Sequence, residues 1–171
     1  QNLPPYVFSE VNRVKFEARS RGEDIIDLGM GNPDSNAADY ITDKLITTIQ
    51  KPKTHGYSTS RGIAGLRKAQ AQYYKRRFGV ELDAESEVIV SIGSKEGLTS
   101  LALAITGPDD HVVVPTPCYP IHIYGFIIAN GKVVEIPNRP HTDLLEKFKQ
   151  HVDKAIKKPV ALILNYRCNP T

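Results

Sequence analysis

The chain has 171 residues, enough to bury the core of one ordinary domain, and its 40% hydrophobic and 24% charged residues are typical of a globular protein. A net charge of +3, with acidic and basic residues interspersed, is too small to predict a nucleic-acid partner. No apolar run approaches the roughly 20 residues of a membrane span, and two cysteines do not make a disulfide framework, so we expect a reduced, cytoplasmic protein with no membrane partner.

Apolar periodicity predicts an alternation of helices and strands. The spacing typical of helices covers residues 6–20, 40–50, 63–78, 94–106, 121–129 and 143–156. Short apolar runs between turn residues predict strands over residues 25–28, 87–92, 111–114, 132–136 and 160–164. Alternating strands and helices from residue 87 onwards indicate βαβ units, and hence an α/β fold with a mostly parallel sheet flanked by helices. Residues 1–50 lack this alternation, and we expect an N-terminal arm and a small-domain segment there, with residues 51–171 as the first part of a larger domain.

Parallel sheets bind ligands beyond the carboxyl ends of their strands, so the segments that follow the predicted strands are the candidates for a site. In SEVIVSIGSKEGL a strand leads through Gly93 into a helix that begins near Ser94. The first backbone N–H groups of a helix have no intrahelical partner and lie at its positive end, which favours an anion. An ordinary capped turn is the alternative, and on that interpretation Lys95 is a solvated lysine.

A Gly-x-Gly sequence also occurs in DIIDLGMGNPD, which resembles the start of a dinucleotide fingerprint. The match fails at its third position, where Asp34 would face a pyrophosphate. A nicotinamide-dependent dehydrogenase is therefore a weak alternative from a different class of protein. An extended loop with accessible backbone N–H groups fits Gly31 better.

Two further polar positions follow predicted strands. The prolines of PTPCYP restrict the backbone around Tyr119, a flat ring with a polar tip, for which a core position is the alternative. Asn169 offers an amide donor and an acceptor, and an ordinary turn asparagine before proline is the alternative. The histidines show no metal-ligand spacing, and no nucleophile motif is present, so we expect no metal.

Six motifs, in order along nearly the whole chain, together resemble the pyridoxal-phosphate-dependent aminotransferases of classes I and II. The closest likeness is to bacterial alanine (glutamate–pyruvate) aminotransferases and their diaminopimelate-aminotransferase-like relatives. The motifs are LPPYVFSEVN, GEDIIDLGMGNPD, THGYSTSRGIAGLR, SEVIVSIGSKEGL, VVVPTPCYPIHIYG and NYRCNPT.

The resemblance implies a role for each matching residue. Gly93, Ser94 and Lys95 match the turn that holds the phosphate of the cofactor, pyridoxal 5′-phosphate. Tyr119 matches the aromatic residue that stacks on the pyridine ring, and Asn169 matches the asparagine that hydrogen-bonds the 3-hydroxyl. Gly31 matches a glycine whose N–H approaches the substrate carboxylate. Tyr57 matches a tyrosine that reaches the cofactor phosphate of a neighbouring subunit, which implies a homodimer.

The resemblance also implies that the sequence is the N-terminal part of a longer enzyme. No catalytic residue is assigned within it, because the lysine that forms the Schiff base lies beyond Thr171, and we expect a polypeptide ending there to be inactive. Two departures are Arg167, where the family often has proline, and SNAADY after GNPD.

The expected activity of the parent protein is amino transfer from an L-amino acid, with alanine as the first choice, to a 2-oxo acid such as 2-oxoglutarate or pyruvate. An aspartate or diaminopimelate-like donor is the next choice. A non-catalytic module for cofactor binding or dimerisation is the alternative outside enzymes.

Overall fold

The computed structural model describes residues 3, 5–29, 31, 33–139 and 141–169. Met30 and Asn32 of the GMGNPD segment, and Pro170 and Thr171 after Asn169, lie outside the described residues. The chain divides into two compact units, one over residues 4–59 and one over residues 60–171. Within the described ranges, no helix combines the length and the apolar character that crossing a membrane requires.

The unit of residues 4–59 contains two helices, α1 (Val7–Ser20) and α2 (Asp39–Ile49), as the periodicity predicts. The strand predicted over residues 25–28 is wrong, because this segment pairs with no strand in the part of the chain that the structure describes. Asp27 of this segment instead forms hydrogen bonds with residues of the same unit. Asp27 pairs with Lys15 of α1 at 2.8 Å and accepts a hydrogen bond from the backbone N–H of Gly29 at 2.9 Å.

The unit of residues 60–171 has the predicted α/β architecture, with a parallel three-stranded sheet and flanking helices. The sheet order is β2-β1-β3, so β1 is central, and Val113 pairs with Val134 on one side and Leu162 on the other. The elements are α3 (Ala64–Phe78), α4 (Ser94–Ile105), β1 (His111–Thr116), α5 (Ile121–Ile128), β2 (Lys132–Pro137), α6 (Leu144–Lys154) and β3 (Ala161–Leu162).

The core of this unit forms around β1, whose three consecutive valines, Val112, Val113 and Val114, are completely buried. Val112 and Val114 pack on one side with Ala102 of α4 and Phe126 of α5, while Val113 points to the opposite face because side chains alternate along a strand. Each buried valine stabilises the fold by about 1.5 to 3 kcal/mol relative to an exposed one. An apolar strand buried on both faces explains why the sequence shows a continuous run instead of alternation.

The strand predicted over residues 87–92 is also wrong: this segment forms no ladder within the described part of the chain. Its apolar residues Ile89 and Ile92 are 69% and 91% exposed. It is held by a backbone hydrogen bond from Val90 to the carbonyl of Arg61, at 3.2 Å. Gly62 makes this approach possible, because a Cβ at that position would lie 2.3 Å from Cγ2 of Val90.

Helix α3 buries a different face from the one that its apolar spacing predicts. Leu66 and Tyr73, apolar residues at helical spacing, are exposed, whereas Arg67 is buried. The Arg67 guanidinium donates hydrogen bonds to the carbonyls of Ala84, at 2.9 Å, and Gly62, and to the carboxylate of Glu85 at 2.7 Å. A guanidinium carries five donors in a fixed fork, so fixed acceptors on several sides compensate its loss of hydration.

We expect Gly62→Ala to lower the free energy of unfolding by about 2 kcal/mol, because it combines a positive φ of +82° with a clash against Val90. Gly65→Ala, in the first turn of α3, is the control, since a Cβ there meets nothing within 4 Å. The control should leave stability unchanged or raise it slightly. The measurement is urea unfolding of the purified protein, and equal effects of the two substitutions would contradict this explanation.

Candidate functional site

The loops that follow β1 and β3 lie next to each other, because the two strands are parallel neighbours. The thiol of Cys168, after β3, donates a hydrogen bond to the carbonyl oxygen of Pro117, after β1, at 3.2 Å. Tyr119 and Asn169 are close in sequence to these two residues. The structure therefore brings the segments that carry Tyr119 and Asn169 to the same end of the sheet.

Helix α4 begins at an exposed turn whose conformation depends on glycine. Gly93 has φ +85° and ψ 162°, a combination that residues with a side chain rarely adopt. The first intrahelical bond runs from the N–H of Gly97 to the carbonyl of Gly93, at 3.2 Å. Residues 93–96 are exposed, and no side chain of the N-cap residue bonds to the N–H groups of the first turn. Gly93 itself has no side chain with which to cap them.

A single acidic residue stands in this first turn, and it is anchored. The carboxylate of Glu96 accepts a hydrogen bond from the backbone N–H of Ile92, the residue before Gly93. This bond fixes the entry of the chain into α4. It also leaves the turn around Ser94 and Lys95 as the part that faces solvent at the positive end of the helix.

Lys95 connects the start of α4 to the loop after β1. Its ammonium group lies over the ring of Tyr119, with Nζ 5.2 Å from the ring centroid, which is within the range of a cation–π contact. The ring of Tyr119 also meets His122 edge-on, with the ring centroids 6.3 Å apart. A cation, a flat aromatic ring and a helix N-terminus are thus adjacent.

The predicted site residues are consequently divided between the two units. Gly93, Ser94 and Lys95 are brought together with Tyr119 through the Lys95 contact, and Asn169 follows Cys168 beside the same loop. Gly31 and Tyr57 belong to the unit of residues 4–59, and both are exposed there. The role of each residue in binding stays a prediction.

A cavity of about 300 Å³ at this end of the sheet was not anticipated from the sequence. Cys118, His122 and Cys168 all line it, and Nδ1 of His122 is buried with no hydrogen-bond partner in the described ranges. Burial lowers the pKa of His122 and raises the pKa of Cys118. The sequence does contain a signal for the two thiols, because each cysteine lies a few residues after one of two neighbouring parallel strands.

Metal binding has no support from this geometry. Among residues 3, 5–29, 31, 33–139 and 141–169, no group of three or more His, Cys, Asp or Glu side chains is arranged to hold a metal ion.

The sequence and the fold are those of a known family. Residues 23–171 match the family described as aminotransferase class I and II, and the chain belongs to that family. Members of this family use pyridoxal 5′-phosphate as their cofactor.

Among curated relatives, the chain is 53% identical over 171 residues to the putative aminotransferase AatC of Rhizobium meliloti, covering all of this chain and 42% of the relative. It is 50% identical to the glutamate–pyruvate aminotransferase AlaC of Escherichia coli, covering 99% of this chain and 41% of that protein. It is 39% identical to the LL-diaminopimelate aminotransferase of Syntrophobacter fumaroxidans, with coverage of 99% and 44%. The chain therefore spans less than half the length of these relatives.

A solved structure shows the same fold. The substrate-bound BacF structure from Bacillus subtilis superimposes with a TM-score of 0.87 at 34% sequence identity, covering 100% of this chain and 43% of that one.

The residues at this end of the sheet fit the family's cofactor. A phosphate group suits the exposed start of α4 beside the Lys95 ammonium, and a pyridine ring suits the flat face of Tyr119.

We expect His122→Asn to reduce the loss of stability at acid pH. Because burial lowers the pKa of His122 below its ordinary value of 6.5, the unfolded chain binds the proton more readily. The stability that the neutral imidazole supports is present above pH 6.5 and is lost as the pH falls through the lower folded pKa. Urea unfolding at about pH 7.5 and about pH 5.5 measures the difference. The exposed His141→Asn variant is the control, and a decline in His122→Asn as steep as in the wild type would contradict the assignment.

Proposed function

We propose that this chain is part of a pyridoxal-phosphate-dependent enzyme that transfers an amino group from an L-amino acid to a 2-oxo acid. Alanine is the preferred donor and 2-oxoglutarate the acceptor in this proposal. The observation that carries it is the exposed start of α4, with the Lys95 ammonium over the Tyr119 ring, in a chain that belongs to the aminotransferases. Because the chain spans only 42% of its relative AatC, the activity of the whole protein is part of the proposal.

The phosphate of the cofactor binds at the start of α4 in this proposal. Backbone N–H groups of the first turn donate to its oxygens, Ser94 adds a hydroxyl donor, and the ammonium of Lys95 adds a positive charge. Gly93 contributes by its conformation, since its positive φ turns the chain sharply into the helix. Lys95 belongs to this phosphate end, and we assign it no part in breaking or forming bonds.

The ring of the cofactor lies against Tyr119, and Asn169 donates to the ring oxygen at position 3. Tyr119 is suited to this because the prolines on both sides of its segment restrict the backbone. Asn169 is exposed at the end of the neighbouring loop, where its amide is accessible. Bound pyridoxal phosphate supplies an electron sink and carries the amino group, while the protein supplies orientation.

Two exposed residues of the first unit complete the proposal. The N–H of Gly31 binds the substrate carboxylate, and Tyr57 reaches the cofactor phosphate of a second subunit in a cytoplasmic homodimer. Tyr57 is fully exposed in a polar loop, which supports a partner outside its own unit. Sedimentation equilibrium of the full-length protein tests the dimer, and a fully active monomer would rule out the role of Tyr57.

The test of function is an assay of the full-length protein with L-alanine, L-aspartate and LL-diaminopimelate as donors and 2-oxoglutarate as acceptor. We expect glutamate formation, with kcat/KM for alanine higher by about tenfold or more. A preference for LL-diaminopimelate would instead support the second candidate, which the 39% identical relative favours. Absence of any amino transfer would favour the non-catalytic module, and reduction of a nicotinamide cofactor would favour the dehydrogenase.

We expect Gly93→Ala to weaken pyridoxal phosphate binding by about tenfold, or about 1.4 kcal/mol, because the added side chain disfavours the conformation that presents the helix start. Gly79→Ala is the matched control. Gly79 follows the C-terminal end of α3, it also has a positive φ of +68°, and an added Cβ there would also meet nothing within 4 Å. Pyridoxal without phosphate should bind both variants equally. Equal weakening of pyridoxal would show that Gly93 does not act through the phosphate.

We expect Tyr119→Ala to increase the dissociation constant of the cofactor by about fivefold, the equivalent of about 1 kcal/mol of lost stacking. Tyr119→Phe keeps the ring and should retain most of the affinity. Fluorescence titration with pyridoxal phosphate provides the measurement. Unchanged affinity in Tyr119→Ala, or equal losses in both variants, would count against stacking.

A further inference from the structure

The proposed function leaves two thiols without a role. Cys118 and Cys168 are both free and both half-buried, and they line the same cavity at the end of β1 and β3. They lie in different loops, 50 residues apart in sequence. Parallel pairing of β1 with β3 brings those loops together.

The distance between the two cysteines is limited by a hydrogen bond. Sγ of Cys168 lies 3.2 Å from the carbonyl oxygen of Pro117. That oxygen is joined to the nitrogen of Cys118 through two bonds, which together span about 2.6 Å at most. Sγ of Cys168 is therefore within about 6 Å of the backbone nitrogen of Cys118. A disulfide requires the two Cα atoms to lie within about 4.4 to 6.8 Å of each other, and the Cys168 thiol already contacts the residue next to Cys118.

We propose that Cys118 and Cys168 form a reversible disulfide when the protein is exposed to a peroxide. One thiol gives up its proton, the thiolate attacks a peroxide oxygen, the O–O bond breaks, and the sulfur becomes a sulfenic acid while the departing hydroxide takes up that proton and leaves as water. The second thiolate then attacks that sulfur, the S–S bond forms, and a second water leaves. Both sulfurs are oxidised and both peroxide oxygens are reduced, so that two thiols and one hydrogen peroxide give one disulfide and two water molecules. A dithiol reverses the reaction by exchange.

The cavity also contains a proton acceptor for this reaction. Nδ1 of His122 is buried and has no hydrogen-bond partner within the described ranges. The imidazole lines the cavity with both thiols, and burial lowers its pKa, which keeps it neutral near pH 7. Burial raises the pKa of Cys118, so this thiol is protonated at rest and needs such an acceptor.

The disulfide would regulate the site described above, and this consequence rests on the proposed function. Cys118 is bonded to Tyr119, and Cys168 is bonded to Asn169, so the bridge joins the two loops that hold the cofactor ring. To form the bridge, the Cys168 thiol must leave the Pro117 carbonyl, so the contact between the two loops changes. We therefore expect the oxidised protein to release pyridoxal phosphate at least threefold faster than the reduced protein.

The pairing is tested on the full-length wild-type protein without relying on any variant. The protein is treated with hydrogen peroxide, its remaining thiols are alkylated, and a non-reducing digest is analysed by mass spectrometry. We expect one cross-linked peptide pair that contains Cys118 and Cys168 and disappears after dithiothreitol. Separate sulfinic or sulfonic acids on the two cysteines, or pairing of either with a different cysteine, would overturn the proposal.

The regulatory consequence is tested by cofactor release from oxidised and reduced protein, with oxidised Cys118→Ser as the control for damage elsewhere. If oxidation accelerates cofactor release from the wild type and not from Cys118→Ser, the result supports regulation by the disulfide. A disulfide that forms without any change in release would overturn the regulatory role. A protein that binds no pyridoxal phosphate would overturn the proposed function, and the peptide mapping would still decide whether the two cysteines pair.

Discussion

The central part of β1 is completely buried, through its three consecutive residues Val112, Val113 and Val114. The position of the site follows from this burial. A strand buried on both faces cannot slide against β2 and β3 without exposing several valines. The loop after β1 therefore leaves the sheet at a fixed point beside the loop after β3. Phe126 and Ala102 hold α5 and α4 against the same strand, so the start of α4 is positioned by the same core.

The polar interactions of the site depend on the fixed position of the loop after β1 and of the start of α4. A helix N-terminus attracts an anion only within its first turn, and a cation–π contact requires the ring within about 6 Å. Lys95 is placed for both interactions. It belongs to the first turn of α4, where an anion would bind, and its ammonium lies over the ring of Tyr119. Glu96 is held back by its hydrogen bond to Ile92. The packed core below and the exposed helix start above are the reasons why we assign the phosphorylated ring of the cofactor to this end of the sheet.

The parallel sheet, its order of elements and most helix bounds could be predicted from the sequence, because these depend on periodicity within each element. The segments 25–28 and 87–92 were predicted as strands from their composition, but pairing requires a neighbouring strand, which a local pattern does not reveal. The exposed face of α3 and the burial of Arg67 were missed for a similar reason: they depend on what packs against the helix. Gly93, Lys95 and Tyr119 could be singled out by their motifs, whereas the Cys118–Cys168 proximity depends on strand order. The domain division near residue 50 and the roles of Gly31 and Tyr57 stay predictions.

A crystal structure of the full-length protein with pyridoxal phosphate would show whether the start of α4 holds the phosphate of this cofactor beside Tyr119. We expect phosphate oxygens within hydrogen-bond distance of the backbone N–H groups of Ser94 and Lys95, and a pyridine ring stacked on Tyr119. A cofactor bound elsewhere, with residues 93–95 contacting only solvent or other protein groups, would contradict it.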